Sequence, residues 1–220
     1  MLIEAIVRRF PAIRALSEPT AAARLTGHLS LAVGQVEAEF AEMTRAGRRF
    51  ATIWSTSGAA TSTAYPTTTA PWVLYNADVN KSLIIDQVGA FILSGTPGAG
   101  LTLLGIVTAI AANAAVPAAA TGATITNLSA GGQYSKAVPA GSTTIPAQLG
   151  QSQQWVVIPG QQGQCNVGTA TASIGGIFTA DVRGRLIVPP GKALGVATFG
   201  TTGGTFIPFA SWYEAEIDLE

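Results

Sequence analysis

Residues 94–102 read SGTPGAGLT and come close to a phosphate-binding loop. Gly95 and Gly100 have the spacing of the two fixed glycines in G-x-x-x-x-G-K-[ST], and Thr102 stands where a magnesium-binding hydroxyl belongs. Leu101 occupies the position of the lysine that would neutralise phosphate charge. Such a loop also needs a helix directly after it, so that the N-terminal amides face the anion. The residues after Gly100 are LTLLGIVTAI, which carry Thr and Ile and no helix start signal. Gly95, Pro97, Gly98 and Gly100 therefore read as a hairpin turn requiring positive φ, not as a nucleotide site.

The other residues that could do chemistry are few and isolated. His28 is the chain's one histidine; it stands in an Ala-rich N-terminal stretch, and no G-x-S-x-G elbow accompanies it. A carboxylate pair for glycoside hydrolysis would have to come from Asp78, Asp86, Asp181 or the acids at 214–220. Asp86 is the acid set inside an apolar strand pattern, where a lone carboxyl is expected to be hydrogen-bonded within its sheet. Cys165 is the one cysteine, which excludes an intrachain disulfide and a cysteine metal cluster and suits a reduced structural thiol in a chain made in a cytoplasm. No catalytic residue, cofactor site or metal ligand is assigned, and the expectation is a non-enzymatic protein.

Charge narrows the partners further. The formal net charge is zero, so no long-range field draws in nucleic acid or acidic lipid. The arginines of RRF (8–10) and RAGRRF (45–50) lie beside acids, and neither nucleic acid nor membrane is an expected partner. The most apolar run, LTLLGIVTAIAANAAV at 101–116, falls short of the roughly 20 residues a membrane span needs. Glu4, Arg8 and Arg9 interrupt any signal-peptide core at the N-terminus. Between Ala51 and Ala180 the charged residues are only Asp78, Lys81, Asp86 and Lys136, against twelve in residues 1–50.

Periodicity divides the chain accordingly. Residues 1–58 read as a helical segment for attachment or oligomerisation. Within it, a helix over about 18–50 carries an apolar stripe of Leu29, Val33, Val36, Phe40, Met43 and Phe50, with Gly47 filling one slot. Leu29, Val33, Val36, Phe40 and Met43 form the candidate assembly interface, because an uncovered stripe of this kind is a patch that soluble monomers avoid. Folding back onto the chain's own β domain is the competing use of the stripe. Residues 59–71, small and hydroxylated, read as a linker. Residues 72–220 read as a mainly β module, expected to fold without the first 58.

Strands are expected at PWVLYN, KSLIIDQVGAFIL, ATITNL, QQWVVIPG, SIGGIFTADV, GRLIVPPG and KALGVATFG, separated by Gly, Pro and Asn turns. At the end, FIPFASWYEAEIDLE alternates. Ile207, Phe209, Tyr213, Ala215, Ile217 and Leu219 are assigned to one face, and Glu214, Glu216, Asp218 and Glu220 to a solvated or contact face. Many short strands with no helical period between them argue for an antiparallel β-sandwich, jelly-roll-like, preceded by the helical segment.

Two stretches carry a resemblance. PWVLYNADVNKSLIIDQVGAFILSGTPGAG resembles the opening of β-sandwich virion proteins of tailed bacteriophages, in which an aromatic strand and an Asn turn lead to a long apolar strand and a Gly-rich hairpin. GRLIVPPGKALGVATFGTTGG is similar to the turn and strand near the end of such jelly-roll modules. The resemblance covers residues 72–220 and implies a structural component of the virion: a head decoration, spike or tail part, with itself (as a trimer) and other virion proteins as partners. It brings no catalytic residues. The alternative is a receptor- or carbohydrate-binding module in which exposed Trp72, Trp155 or Trp212 stacks on sugar rings. Tryptophans buried between sheets favour the structural reading, and tryptophans on an exposed rim favour the binding module.

Overall fold

The computed structural model describes residues 24–25, 31–32, 41–54, 58–95, 101–110, 115–129, 134–145, 155–162, 177–200 and 204–216. The chain divides into two units, Met1–Ala41 and Glu42–Glu220. In the first, β1 (Arg24–Leu25) and β2 (Leu31–Ala32) pair antiparallel, which corrects the helix expected over 18–50 at these residues. Gly27 lies between the two segments, and glycine costs a helix interior about 1 kcal/mol relative to alanine.

A second correction falls at Gly47. Helix α1 spans only Ala41–Arg45. Gly47 adopts φ 68°, its N–H donates to Thr44 O at 2.9 Å, and Arg48 N–H donates to Met43 O at 3.0 Å. This is the hydrogen-bond pattern of a Schellman C-cap. The residue that filled a slot of the apolar stripe is in fact the stop signal, and the chain leaves it as a strand.

The strands of the second unit are β3 (Arg49–Ile53), β4 (Ala59–Ala60), β5 (Thr69–Asn76), β6 (Ser82–Gly95), β7 (Thr102–Ala109), β8 (Thr124–Asn127) and β9 (Ala137–Thr144). They continue with β10 (Val156–Val157), β11 (Gln161–Gln162), β12 (Ile177–Val188), β13 (Lys192–Phe199) and β14 (Gly204–Ala215). The larger sheet runs β11-β12-β6-β14-β3-β8, with β4 also on β14; the smaller runs β10-β7-β13-β5-β9. All these ladders are antiparallel. The protein is a mainly β antiparallel sandwich in which β5, β6 and β7, and again β12, β13 and β14, alternate between sheets.

The main core lies between the sheets. Leu83, Val88, Phe206 and Trp212 from the larger sheet meet Trp72, Leu74, Leu194 and Val196 from the smaller. A second cluster covers the other side of the smaller sheet, where Val73, Leu104, Ile106, Ala193 and Ala197 pack with Ile145 and Trp155. Gly195 makes room for this cover: a Cβ there would stand 2.8 Å from Ile106 and 3.2 Å from the Trp155 ring. With both faces covered, β7 reads as an almost continuous apolar run. That accounts for the membrane-like composition at 101–109. Among the described residues, no helix is long and apolar enough to cross a membrane.

Several elements differ from their sequence-based expectation. SIGGIFTADV and GRLIVPPG belong in part to one strand, β12, whose register against β6 shifts between Asp181 and Leu186. Arg183 (φ 49°) and Gly184 (φ 76°) sit in that bulge. Strand β9, hidden by Pro139 and Gly141, forms an edge of the smaller sheet, where a missing N–H is tolerated. The stretch expected as a linker is tied down. Residues 59–60 pair with β14, Ser62 N–H donates to Thr198 O at 2.8 Å, and the Tyr65 and Phe199 rings stack with centroids 5.0 Å apart.

The sandwich therefore begins before residue 72. Strand β3 lies between β14 and β8, and Phe50 and Trp54 are fully buried in the main core. A chain beginning at residue 42 is expected to give a cooperative unfolding transition with a β-type circular dichroism spectrum. A chain beginning at residue 72, lacking β3, β4 and two core aromatics, is expected to lose that transition; retention of it would contradict the place given to β3 in the sheet.

Candidate functional site

The near-match to a phosphate loop sits between two strands. β6 ends at Gly95 with φ 80°, and the chain resumes as β7 at Thr102. These strands belong to different sheets, so they do not form the hairpin expected. The Thr102 hydroxyl is engaged structurally. It donates to Gln161 Oε1 at 3.0 Å, Leu103 N–H donates to the same oxygen at 3.1 Å, and Gln161 Nε2 returns a bond to Leu103 O at 2.6 Å. A strand begins at Thr102, where a phosphate loop would need the N-terminus of a helix.

Of the candidate assembly interface, Leu29, Val33, Val36 and Phe40 lie outside the described residues, as do His28 and Cys165. Met43 is half-buried in α1. The tryptophans considered for sugar stacking are in the interior: Trp72 is 5 % exposed, Trp155 6 % and Trp212 0 %. The Trp54 indole, also fully buried, donates to Val73 O at 2.7 Å, and that of Trp155 to Pro66 O at 2.7 Å. These rings serve packing.

The terminal strand faces the opposite way from the expectation. Phe206, Ala210 and Trp212 point into the core, and Glu214 shares their parity and is 2 % exposed. Ile207, Phe209, Ser211 and Tyr213 take the outer face. The large rings at 206 and 212 fix this phase, because a one-residue slip would expose both.

Two polar clusters result. At one end of the sandwich, Ser135 Oγ donates to Glu214 Oε1 at 2.5 Å, and Lys81 Nζ lies 4.0 Å from Glu214 Oε2. Asp78 Oδ1 accepts the N–H groups of Asn80 (2.8 Å) and Lys81 (3.1 Å), and its Oδ2 lies 3.5 Å from Lys136 Nζ. Fully buried Asn76 ties this end together, donating to Lys81 O at 2.7 Å and Val188 O at 2.9 Å. On the outer face of the larger sheet, Arg49 donates to Asp86 Oδ2, and Ser211 Oγ donates to the same oxygen at 3.2 Å. Asp86 is thus the hydrogen-bonded strand acid its setting suggested, and it joins β3, β14 and β6.

The same outer face holds a shallow depression of about 410 Å³. Register places Gly89, Phe209, Ile53 and Thr124 in one cross-strand row, and Gln87, Ser211, Ala51 and Thr126 in the next. All but Gly89 line the depression, together with Phe91. Phe209 lies down over Gly89: a Cβ at that glycine would be 2.2 Å from the ring's Cζ and 2.6 Å from Cε1. An isolated glycine inside a strand pattern signals such a close approach, and Gly89 in KSLIIDQVGAFIL carried that signal. Pairing it with Phe209 required the phase of β14. Among the described residues, no three His, Cys, Asp or Glu side chains converge as a metal site would need.

Comparison with family models, with curated proteins and with solved structures returned no match.

Acid titration separates Glu214 from Asp78. Burial is the largest influence on Glu214 and holds its carboxyl above the ordinary 4.5, outweighing the Ser135 hydrogen bond and Lys81. Asp78 lies below the ordinary 3.8, chiefly through the Asn80 amide, with help from the Lys81 amide and Lys136 and against the cost of burial. The folded state binds the Glu214 proton more tightly than the unfolded chain does. Stability from this group is therefore present below about pH 4.5 and lost as pH rises through its folded value. Asp78 acts in the other sense, losing stability as pH falls below about 3.8. Glu214→Gln, which keeps an acceptor for Ser135, is expected to flatten the decline in urea midpoint between pH 4.5 and neutrality. A wild-type midpoint that rises over that interval, in parallel with the variant, would contradict the assignment.

Proposed function

We propose that this chain is a non-enzymatic structural protein that assembles through its sandwich surface, of the bacteriophage virion kind that residues 72–220 resemble. The observation that carries the reading is how the charges are used. Residues 51–180 hold four charged side chains, and each has an opposite charge within 4.0 Å: Asp78 with Lys136, Lys81 with Glu214, Asp86 with Arg49. Among the described residues, the rest of this part of the surface is uncharged and includes exposed Thr, Ser and Ala side chains and scattered apolar residues such as Ile53 (49 % exposed) and Val157 (61 % exposed). Covering such a surface with a neighbour desolvates few unpaired charges, so repeated contacts over broad areas cost little. The interior position of all four tryptophans supports the same reading over a module built on exposed tryptophan rims.

Assembly through uncharged surfaces has a salt signature. Charge-driven association weakens as the screening length falls from about 10 Å at 0.1 M salt to about 3 Å at 1 M, whereas apolar contacts do not. Sedimentation of the full chain at low and high sodium chloride is expected to show an oligomer at both, with a trimer as the first candidate. A monomer under both conditions, or an oligomer that dissociates in high salt, would contradict assembly through this surface.

A further inference from the structure

We propose that the depression on the outer face of the larger sheet is a binding site for a neutral sugar ring, with Phe209 as the stacking platform. This goes beyond the structural role above and does not rest on it. Three features of the depression select the ligand class.

The first is the aromatic floor. Phe209 stands opposite Gly89 on β6, and the absence of a side chain there lets the phenyl ring lie down across the neighbouring strand instead of standing off the sheet. The ring is half-buried and lines the depression, so it presents apolar carbon to whatever enters. Ile53, directly opposite on β3 and 49 % exposed, extends that floor. An apolar floor of this kind suits the C–H face of a pyranose.

The second is the polar margin, with Thr124 at the end of the Phe209 row and Thr126, Gln87 and Ser211 in the next. Thr126 and Thr124 on β8 are exposed and project to the same side as Ile53, while Gln87 and Ser211 close the row on β6 and β14. Hydroxyl and amide groups both donate and accept, which matches the hydroxyl rim of a sugar. Gln87 Nε2 and Ser211 Oγ already donate to Asp181 and Asp86, so the margin offers a sugar their oxygens as acceptors together with the exposed Thr124 and Thr126 hydroxyls.

The third is charge. Among the described residues no ionisable side chain lines the depression, and the acids beside it each have an opposite charge close by: Asp86 with Arg49, and Asp181, which accepts from Gln87 Nε2 at 3.1 Å, with Arg183 at 4.0 Å. A charged ligand would be desolvated without compensation, so a neutral one is selected. The volume, about 410 Å³, lies within the roughly 300–1,000 Å³ of small-molecule sites. No tryptophan lines the site, and phenylalanine supplies the ring in its place.

The test uses the full chain, isotopically labelled, titrated with the methyl glycosides of glucose, galactose, mannose and N-acetylglucosamine while amide shifts are followed by NMR. At least one glycoside is expected to give saturable shifts, in the millimolar range, centred on Gly89, Phe209 and Thr126. Phe209→Leu keeps an apolar side chain but removes the ring face, and should weaken that binding by about tenfold or more, which is about 1.4 kcal/mol. Thr126→Ala provides an exposed-site variant with little bearing on folding, and should weaken it as well. No saturable shift around Gly89 with any of the four glycosides would overturn the proposal, and so would undiminished binding by folded Phe209→Leu. Sedimentation reads the assembly role independently, so either idea can fail without the other.

Discussion

The phase of β14 governs the rest of the structure. Phe206 and Trp212 are too large to leave in water, and both are fully buried between the sheets, Trp212 beside Phe50 with ring centroids 6.0 Å apart. Losing a buried ring of this size costs about 3–5 kcal/mol, a large part of a domain's net stability. Because side chains alternate, that single commitment sends Glu214 inward and Phe209 and Ser211 outward. The buried carboxyl at one end, the Asp86 network and the aromatic floor over Gly89 are all consequences of it. β14 is also a central strand, flanked by β6 on one side and β3 on the other, so its phase is imposed on both neighbours.

The few charges follow the same geometry. Arg49 on β3, Ser211 on β14 and Asp86 on β6 meet on the outer face because the three strands are adjacent and the relevant positions point the same way. At the end of the sandwich, Lys81 and Glu214 belong to the turn before β6 and the end of β14, while Lys136 and Asp78 come from the segments leading into β9 and β6. A protein with so few charges in its middle 130 residues could have displayed them to solvent or to partners. Here they bind strands and turns to one another, and among the described residues the depression on the outer face has no ionisable side chain in its lining. That neutrality is common to the proposed assembly surface and the proposed sugar site.

How much of this was legible in the sequence depended on which interaction decided each element. The sandwich class was readable because β-branched runs and Gly/Pro turns are local signals, and β5, β6, β8 and β13 fall where those signals put them. The N-terminal reading failed at Gly47, where a periodic slot and a C-cap have the same letter and only the φ of the residue distinguishes them. Strand β3 was lost with it. Strand β9 was missed because Pro139 and Gly141 mask a strand that survives only at an edge. The faces of β14 were inverted because the alternation was scored by its acids and by Ile207, Phe209 and Tyr213, while Phe206 and Trp212, on the other parity with Glu214, are the rings buried between the sheets. The candidate site was legible only as an unexplained glycine at 89. Its partner is 120 residues away in the chain, and nothing local links the two.

The phase of β14 is tested most directly by the chemical accessibility of adjacent positions along it. With Cys165 replaced by serine, single cysteines at Ala210 and Ser211 can be compared for reaction with a thiol reagent in native buffer. Ala210 is 1 % exposed and faces the core, while Ser211 faces outward. Ser211→Cys is expected to react in the native state, and Ala210→Cys only upon unfolding. Fast native labelling of Ala210→Cys with protection of Ser211→Cys would invert the strand and contradict the core, the Asp86 network and the sugar site together.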